Sequence, residues 1–506
     1  MNQGKQTIKR VLIANRGEIA VRIIRTLRDL GISSVAIYSD PDRGSLHTRL
    51  ADYAVRIPGD TSAETYLQIP KIIHAIKVSG ADAVHPGYGF LSENSEFVGA
   101  VEKAGCTFIG PTQDSMNILG DKVQAKALMR QHDVPVTPGS IGGLDSYEAL
   151  KDLVEEMGYP LILKAAAGGG GRGMRVIRDE STLKDSFDSC QREALEYFGN
   201  PLIFAERFVE KPRHIEVQVL CDAHGNGVHL FERDCSVQRR HQKLIEEAPS
   251  QFLSDEQRQH IGGIAVKAAL AAGYRGVGTV EFICESRDKI YFMEMNTRIQ
   301  VEHTVTEEIT RMDLVAEQIR VAQGHPLSVT QDDLRPQGWS IECRINAEDP
   351  AEGFIPGPGR ITKLRLPHGP HVRVDTHIFE GYTVPSHYDS MIAKLIVWGP
   401  NRDEAILRMR RALSEMVIEG IPTTARFHEA VLTDELFVQA DINTGYVEDR
   451  WDHLKAQMVG AGTTHQDLSA ALAAIKVQDQ WGQREVTKGS GQSRWKMMAR
   501  SEATHQ

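Results

Sequence analysis

Polar and apolar residues alternate with a period of two along one stretch near residue 300. Within 293–303 (MEMNTRIQVEH), five polar side chains occupy every second position: Glu294, Asn296, Arg298, Gln300 and Glu302. In an extended chain this spacing places all five on one face. Such a set suits a site that holds a divalent cation beside an anion, and a solvated strand face is the alternative. Full extension would separate Glu294 from Glu302 by roughly 26 Å, so we expect a bend near Thr297.

The first 120 residues predict alternating strands and helices. Apolar runs at 11–15 and 33–40 indicate buried strands, and an amphipathic pattern over 17–31 indicates a helix between them. A further helix is expected at about 64–79, and 81–93 (ADAVHPGYGFLSE) indicates a strand that enters a glycine-rich loop. Such units build a parallel sheet with ligand sites at the carboxyl ends of its strands. The first turn is NRGEIA rather than G-x-G-x-x-G, which weakens a dinucleotide interpretation.

The remaining chain predicts a second region that opens with a helix (DKVQAKALMRQHDV) and carries a glycine run. Strands mixed with helices follow from about 211 to 450 and end in a β-α-β-like stretch, MIAKLIVWG followed by NRDEAILRMRRALSEMVIEG. Beyond 453 the chain is polar and locally basic, with one short amphipathic helix, LSAALAAIK. A length of 506 residues suggests about three domains.

Composition narrows the class of protein. The net charge of −10 argues against a nucleic-acid surface, and no apolar run approaches the ~20 residues that cross a bilayer. The first ten residues are polar and contain no signal-peptide core. Six scattered cysteines without a C-x-x-C pair indicate reduced thiols. We therefore expect a cytoplasmic protein that binds neither nucleic acid nor a membrane.

Several short patterns indicate a nucleotide and metal site. Lys164 ends a predicted strand before four glycines (168–171), whose backbone N–H groups can approach phosphate; a mobile lid is expected, and a surface hairpin is the alternative. Lys122 adds a second lysine in the same half. Glu281 lies mid-strand among apolar residues, and a hairpin turning at 285–289 would bring Glu294 opposite it, which suits Mg²⁺.

Two basic stretches leave alternatives open. His214, Glu216 and Gln218 share a strand face, where a lone histidine is more often structural. Residues 238–243 (QRRHQK) leave both faces polar, which fits a buried polar site or an exposed basic loop. Arg344, considered alone, fits a surface cation.

Taken together, these segments resemble the biotin carboxylase family within the ATP-grasp superfamily. The matching strings occur in family order from residue 11 to about 450: NRGEIA, HPGYGFLSE, GDK, KAAAGGGGRGMR, RHIEVQV, ERDCSVQRRHQK, EMNTRIQVEHTVTE, ECRINAEDP and YDSMIAKLI. The resemblance implies an α/β (α+β) ATP-grasp fold. It implies an N-terminal Rossmann-like domain (1–121), a glycine-rich lid domain (122–210), a catalytic domain (211–335), a C-terminal mixed α/β domain (336–452) and a tail (453–506).

The resemblance also implies a two-step ligase reaction and its residues. ATP phosphorylates bicarbonate to carboxyphosphate, whose CO₂ is captured by the ureido N1 of biotin; this is the first half-reaction of acetyl-CoA or acyl-CoA carboxylase in fatty acid biosynthesis. ATP would contact Lys122, Lys164, His214, Gln238 and His241, with Gly170 and Gly171 over its phosphates and Glu206, Arg207, Phe208 and Val209 lining the adenine pocket. Metal ions would be held by Glu281, Glu294 and Asn296, and bicarbonate by Lys243, Arg298, Gln300, Val301 and Glu302. Arg344 and Tyr88 would contact biotin.

Within this set, the resemblance gives catalytic roles to Arg298, Glu302, Lys243 and Arg344. Glu302 would be the general base that deprotonates bicarbonate, and the released phosphate would remove the ureido proton. Arg344 would stabilise the enolate oxygen of biotin, which replaces its interpretation as a surface cation.

The implied cofactors are ATP and two Mg²⁺ or Mn²⁺ ions, with biotin as a carrier-bound substrate. Family carriers bear biotin within Met-Lys-Met, and the nearest string here is Trp495-Lys496-Met497-Met498. We therefore hypothesise a homodimeric subunit whose biotin carboxyl carrier protein and carboxyltransferase lie on other chains. The tail would dock such a partner or be a disordered polar segment.

Two other functions remain open. An ATP-grasp ligase could form an acyl phosphate for an amine nucleophile, in which case ammonia or an amino acid would stimulate ATP hydrolysis. A silent regulatory subunit would bind nucleotide alone, and the presence of both metal carboxylates with the Lys/Arg/Glu set argues against it.

Overall fold

The first region is a parallel sheet flanked by helices. The computed structural model describes residues 7–140, 142–144, 146–165 and 174–458. In chain order this region contains β1 (Arg10–Ile13), α1 (Gly17–Asp29), β2 (Ser33–Tyr38), α2 (Leu46–Leu50), β3 (Tyr53–Arg56), α3 (Ile69–Ser79), β4 (Ala83–His85), α4 (Ser95–Lys103), β5 (Thr107–Phe108) and α5 (Gln113–Gly120). The strands are parallel in the order β3-β2-β1-β4-β5. The predicted strand-helix alternation is confirmed, although α3 begins five residues later than expected.

The apolar pattern of this region explains its packing. β1 is buried on both faces, as its unbroken run of apolar residues predicts for a parallel strand. Ile19, Ile23 and Leu27, spaced by four residues, place one face of α1 in the same core as Val11 of β1. Full burial of such side chains stabilises the fold by about 1.5–3 kcal/mol each.

A small antiparallel sheet follows. Its region contains α6 (Lys122–Gln131), α7 (Tyr147–Met157), β6 (Leu161–Ala165), β7 (Met174–Ile177), a 3₁₀ turn (Glu180–Thr182), α8 (Leu183–Phe198) and β8 (Ile203–Arg207). The strand order is β7-β6-β8. Leu161, Leu163 and Ala165 face the core, so the alternation turns Lys164 to the opposite face. The predicted glycine lid, including Gly170 and Gly171, lies outside the described residues.

An eight-stranded antiparallel sheet dominates the remainder. The elements are β9 (Arg213–Cys221), β10 (Gly227–Arg239), β11 (Gln242–Ala248), α9 (Asp255–Ala271), β12 (Gly276–Ser286), β13 (Lys289–Asn296), α10 (His303–Thr310), α11 (Leu314–Ala322), a 3₁₀ turn (Gln331–Asp333), β14 (Trp339–Asn346), β15 (Glu348–Asp349), β16 (Ile355–Pro356), β17 (Gly359–Arg360), β18 (Lys363–Arg365), β19 (Val372–Thr376), β20 (Thr383–Val384), β21 (Met391–Gly399), α12 (Arg402–Glu415), β22 (Val417–Glu419), α13 (Ala425–Val431), α14 (Glu435–Val438) and α15 (Tyr446–Asp449). The order is β13-β12-β9-β10-β11-β14-β21-β19. Because β11 pairs with β14, one sheet spans the domain boundary expected at 335/336.

Two local predictions need correction. The stretch 391–420 does fold as strand, helix and strand, but β22 pairs with β18 and not with β21, so no β-α-β unit forms there. The alternating strand at 293–303 ends at Asn296, and 297–302 form a turn that leads into α10. The bend expected near Thr297 is therefore confirmed, and it removes the need for a 26 Å span.

The chain divides into two compact units, residues 1–451 and 452–506. In the second unit the structure describes only 452–458, which are helical. The expected helix LSAALAAIK and the rest of the tail lie outside the described residues. Among helices in the described ranges, none is both long and apolar enough to span a bilayer.

Candidate active site

A cavity of about 1310 Å³ collects the predicted site residues. Its walls come from the small sheet, from the eight-stranded sheet, and from Tyr88 in the loop after β4. Every predicted residue that the structure describes lines it: Tyr88, Lys122, Lys164, Glu206, Arg207, Phe208, Val209, His214, Gln238, His241, Lys243, Glu281, Glu294, Asn296, Arg298, Gln300, Val301, Glu302 and Arg344. Motifs far apart in sequence thus share one space, although this placement does not assign their roles.

The two candidate metal carboxylates are cross-strand neighbours. Glu281 of β12 lies opposite Glu294 of β13, as the predicted hairpin requires. Asn296 Nδ2 and Gln300 Nε2 each donate to Glu281 Oε1 at 2.7 Å. His214 Nε2 lies 3.0 Å from Glu281 Oε2.

Electrostatics at this pair fit a bound cation. Burial raises the pKa of Glu281, but Lys243 and His214 outweigh it and hold that pKa well below its usual range. Burial and the charge of Glu281 raise the pKa of Glu294. A divalent cation would relieve this repulsion between buried carboxylates, and the two carboxylates with an amide oxygen suit Mg²⁺. The residues present therefore fit the predicted metal.

Glu302 lies between two cations on the cavity wall. Lys243 Nζ donates to Glu302 Oε1 at 2.6 Å, and Arg344 Nη2 donates to Glu302 Oε2 at 2.9 Å. Burial raises the pKa of Glu302, but Lys243, Arg344 and Arg233 outweigh it and hold that pKa well below its usual range. The carboxylate is therefore ionised at neutral pH, as a proton acceptor requires.

Lys243 is shared among three carboxylates. Besides Glu302, its Nζ donates to Glu281 at 3.1 Å and to Glu216. Burial lowers the pKa of Lys243, but Glu216, Glu281 and Glu302 raise it well above its usual value. The 238–243 stretch combines both alternatives: Arg240, His241 and Gln242 form an exposed tight turn between β10 and β11, whereas Gln238 is buried and Lys243 enters the buried polar site.

The turn after β13 directs Arg298 into the cavity. Its Nη2 donates to Asn296 Oδ1 at 3.0 Å, and its Nε donates to Glu93 Oε2 at 3.0 Å. Glu93 also accepts from the backbone N–H of Thr297 at 3.0 Å, so it holds the turn itself. Glu93, the last residue of the HPGYGFLSE string, was not among the predicted site residues.

Arg233 is a second residue that sequence reasoning missed. It is fully buried, and its guanidinium donates to Glu216 at 2.5 Å, Gln218 at 2.6 Å and Gln300 at 2.7 Å. It thereby fixes the Gln300 amide whose nitrogen donates to Glu281. The signal was an arginine inside an otherwise buried strand, β10, where an unpaired charge would be very costly.

On the small sheet, Lys164 pairs with a carboxylate. Lys164 Nζ donates to Glu206 Oε2 at 2.8 Å, and Lys126 donates to the other oxygen of Glu206. Burial raises the pKa of Glu206, but the two lysines lower it to about 2. Lys122 opens α6, which is capped by Asp121. Lys126, one helical turn after Lys122, is a further cavity cation not selected from sequence.

Tyr88 belongs to a buried polar chain behind the turn 297–302. Its hydroxyl donates to Glu18, which lies 3.5 Å from Lys394 Nζ. Lys394 is fully buried and donates to the carbonyl of Val301 at 2.7 Å. The peptide of Val301 is therefore oriented by β21, and Tyr88 is joined to the same network.

Comparison with known proteins gives consistent matches along the described chain. Residues 7–116 match the model "Biotin carboxylase, N-terminal domain", 121–330 match "Carbamoyl-phosphate synthase L chain, ATP binding domain", and 342–449 match "Biotin carboxylase C-terminal domain". Biotin carboxylase 1 of Bacillus subtilis strain 168 is 52% identical over 442 residues, covering 87% of this chain and 98% of the relative.

Solved structures of biotin carboxylases are similar to this chain in sequence and in fold. The biotin carboxylase–β-γ-ATP complex from Campylobacter jejuni is 47% identical, with a TM-score of 0.84 over 88% of this chain and 99% of that one. The biotin carboxylase domain dimer of Hydrogenobacter thermophilus 2-oxoglutarate carboxylase, in complex with MgADP, ADP and bicarbonate, is 46% identical, with a TM-score of 0.84 over 89% and 99%.

Proposed function

The chain belongs to the biotin carboxylase family of ATP-grasp ligases, and we propose that its cavity carries out the complete carboxylation of biotin. ATP phosphorylates bicarbonate to carboxyphosphate, which gives CO₂ and phosphate, and the CO₂ joins the ureido N1 of biotin. The products are carboxybiotin, ADP and phosphate. The observation that carries the proposal is Glu302, an ionised carboxylate held between Lys243 and Arg344 on the cavity wall.

Glu302 acts as the general base toward bicarbonate. In the free site its two cations make it a weak base, because each stabilises the ionised form. Bicarbonate bound by Lys243, Arg298, Gln300 and the backbone of Val301 would draw part of that positive charge to itself. The pKa of Glu302 would then rise toward the range in which it can accept a proton.

Glu281, Glu294 and Asn296 would hold the metal ions, Mg²⁺ or Mn²⁺, and we propose two of them. A bound divalent cation neutralises charge on the transferring phosphoryl group. The Hydrogenobacter thermophilus structure contains MgADP and bicarbonate, which supports the pairing of these ligands in one site. His214 Nε2 lies 3.0 Å from Glu281 Oε2 and flanks that carboxylate.

Lysines and the adenine pocket would hold ATP. Lys122, Lys164, His214, Gln238 and His241 contact the nucleotide, while 206–209 line the adenine pocket and Gly170 and Gly171 cover the phosphates. Lys164 is paired with Glu206 in the free site. ATP binding would therefore exchange this carboxylate for phosphate oxygens at Lys164, with Lys126 retaining Glu206.

In the second step, released phosphate removes the ureido proton and Arg344 stabilises the enolate oxygen of biotin, beside Tyr88. A fixed guanidinium at a developing oxyanion lowers the barrier because it needs no reorganisation during reaction. We further propose that biotin is presented by a carrier protein on another chain, that a carboxyltransferase uses the product, and that the chain is a homodimer. The dimeric Hydrogenobacter thermophilus structure supports the last point.

The test is ADP release by the purified chain with Mg²⁺ and bicarbonate, with and without free biotin, and then with a biotinylated carrier protein. Bicarbonate-dependent release stimulated by biotin or by the carrier is expected. Ammonia or an amino acid replacing biotin as the stimulant would instead identify an amine ligase. No hydrolysis even with the carrier would refute the proposed function. Biotin covalently attached to this chain would refute the separate carrier.

A further inference from the structure

Two buried carboxylates lie opposite each other on neighbouring strands, next to Arg344. Glu246 of β11 and Glu342 of β14 are direct cross-strand partners, and both are fully buried. Directly opposed side chains in an antiparallel pair have Cβ atoms about 4.5–5.5 Å apart, and like charges there are destabilising. Neither residue has a role in the reaction described above.

Their hydrogen bonds leave one oxygen on each without a partner. Glu246 Oε1 accepts from Arg344 Nε at 2.6 Å, and Glu342 Oε2 accepts from the hydroxyl of Thr304. Glu246 Oε2 and Glu342 Oε1 are buried and have no hydrogen-bond partner. Two unsatisfied carboxylate oxygens on opposed residues are both explained by one proton between them, because one oxygen then donates and the other accepts.

We propose that Glu246 and Glu342 share one buried proton, carried mainly by Glu342, and that this pair is a positioning unit for Arg344. With the proton on Glu342, Glu246 remains an anion and accepts a hydrogen bond from Arg344 Nε. The same guanidinium donates to Glu302 through Nη2. On its other side, Glu342 holds Thr304, in the first turn of α10 and two residues after Glu302. The pair therefore links the biotin cation to the segment that carries the base. The inference rests on the proposed role of Arg344.

The charges around the pair support one proton rather than none. Burial raises the pKa of Glu342 to about 8 even though Lys394 opposes that shift, and burial raises the pKa of Glu246 to about 7 against Arg344. The titratable and charged groups that face the pair are Lys243 on β11, Arg344 and Cys343 on β14, Lys394 on β21, Cys235 on β10, Glu302 before α10 and Tyr88 from the first region.

Loss of the proton would change the position of Arg344. With both carboxylates ionised, the pair on β11 and β14 would carry one more negative charge next to the Arg344 guanidinium. Arg344 would be drawn toward the sheet and away from Glu302 and the cavity. Turnover with biotin should therefore fall on the alkaline side as the pair ionises.

Two amide substitutions distinguish the partners. In Glu342→Gln, the amide oxygen can accept from Thr304 and the amide N–H can donate to Glu246, so the substitution imitates the protonated carboxyl. In Glu246→Gln, the remaining negative charge moves to Glu342, and Arg344 loses a charge-assisted hydrogen bond. We expect Glu342→Gln to keep kcat/KM for biotin within about threefold at neutral pH, and Glu246→Gln to lower it about tenfold with KM for ATP unchanged.

Infrared difference spectroscopy reads the proton without turnover. Wild-type protein titrated from about pH 6 to about pH 10 should lose protonated-carboxyl absorbance, and the difference between wild type and Glu342→Gln should isolate the part that belongs to the pair, because Glu18, Glu232 and Glu294 also have raised pKa values. The alkaline loss of biotin-dependent turnover should also be weaker in Glu342→Gln. Wild-type ADP release tests the proposed function separately, so its failure cannot be mistaken for failure of the pair.

Three results would overturn the inference. They are a wild-type spectrum without a titrating carboxyl band, a titrating band of undiminished intensity in folded Glu342→Gln, and equal losses of kcat/KM in the two variants. The absence of a titrating band in the wild-type spectrum would refute the pair even if a variant fails to fold.

Discussion

Replacing Glu302 by glutamine removes the proposed base while keeping its shape. In the wild-type site both oxygens of Glu302 accept from cations, Lys243 at 2.6 Å and Arg344 at 2.9 Å. A glutamine oxygen can accept from one of these cations, but the amide nitrogen cannot accept from the other. The variant thus loses the proton acceptor and turns one hydrogen bond into a repulsive contact.

The kinetic effect should greatly exceed the effect on stability. A positioned general base contributes typically about 10²–10⁴-fold, so bicarbonate-dependent turnover should fall at least about 10²-fold. The free energy of unfolding should fall much less, because Lys243 keeps Glu216 and Glu281 as partners and Arg344 keeps Glu246. With hydrogen bonds to charged groups contributing about 1.5–3 kcal/mol, we expect a loss of about 1–3 kcal/mol of unfolding free energy.

Steady-state ADP release against bicarbonate concentration, nucleotide binding by calorimetry and urea unfolding would separate these effects. Glu232→Gln is the matched control, since Glu232 is equally buried and pairs with Arg258 at 2.9 Å but does not line the cavity. It should lose stability and keep kcat. ATP affinity should be unchanged in both variants.

Near-wild-type bicarbonate-dependent turnover in Glu302→Gln would refute the base assignment. A similar loss of kcat in Glu232→Gln would show that the kinetic effect is not specific to Glu302, because it would then follow from the loss of any buried charge. A collapse in ATP affinity would show that Glu302 organises the nucleotide end, which its contacts do not indicate.

Three further outcomes follow from other parts of the site. Glu294→Gln should raise the Mg²⁺ concentration for half-maximal ADP release about 10–100-fold, measured by metal titration, and an unchanged requirement would remove Glu294 from the metal site. Lys164→Gln should raise KM for ATP about tenfold without changing KM for bicarbonate, with exposed Lys267→Gln as the control. The stability difference between wild type and Glu342→Gln should shift against the wild type as pH rises from about 4.5 to about 8, because the unfolded wild-type chain releases a proton that folded Glu342 retains. This shift amounts to several kcal/mol at about 1.36 kcal/mol per pKa unit; parallel stability-against-pH curves from urea unfolding would contradict it.

Local pattern was sufficient wherever a feature depends on neighbouring residues. The period-two alternation and the turn at 285–289 predicted that Glu281 and Glu294 would face each other, and the register confirms it. Apolar runs predicted the parallel sheet in the same way. Such features follow from strand geometry, which is set within a few residues.

Long-range pairing was not predictable by the same means. Glu93 is 205 residues from Arg298, yet it holds both that side chain and the turn before it. The pairing of β11 with β14, which opposes Glu246 and Glu342, likewise has no local signal. Considered alone, Arg344 was interpreted as a surface cation, since the parity of its strand does not say which face is covered. Only the resemblance between separated motifs supplied that information.

The cavity must attract two anions, ATP and bicarbonate, although the buried polar network around Glu302 contains more carboxylates than cations. The buried cations are Lys243, Arg344, Arg233 and Lys394, and the buried carboxylates around them are Glu18, Glu216, Glu246, Glu281, Glu302 and Glu342. Each of these four cations is already paired with a carboxylate, so an anion that binds one of them takes a share of its charge from that carboxylate. The carboxylate that loses part of its cation partner then becomes more basic or binds a metal ion more tightly. The reaction needs both effects. When a substrate anion weakens one of these buried ion pairs, the basicity or the metal affinity of its carboxylate therefore increases. The proton shared by Glu246 and Glu342 reduces the net negative charge that repels the substrate anions.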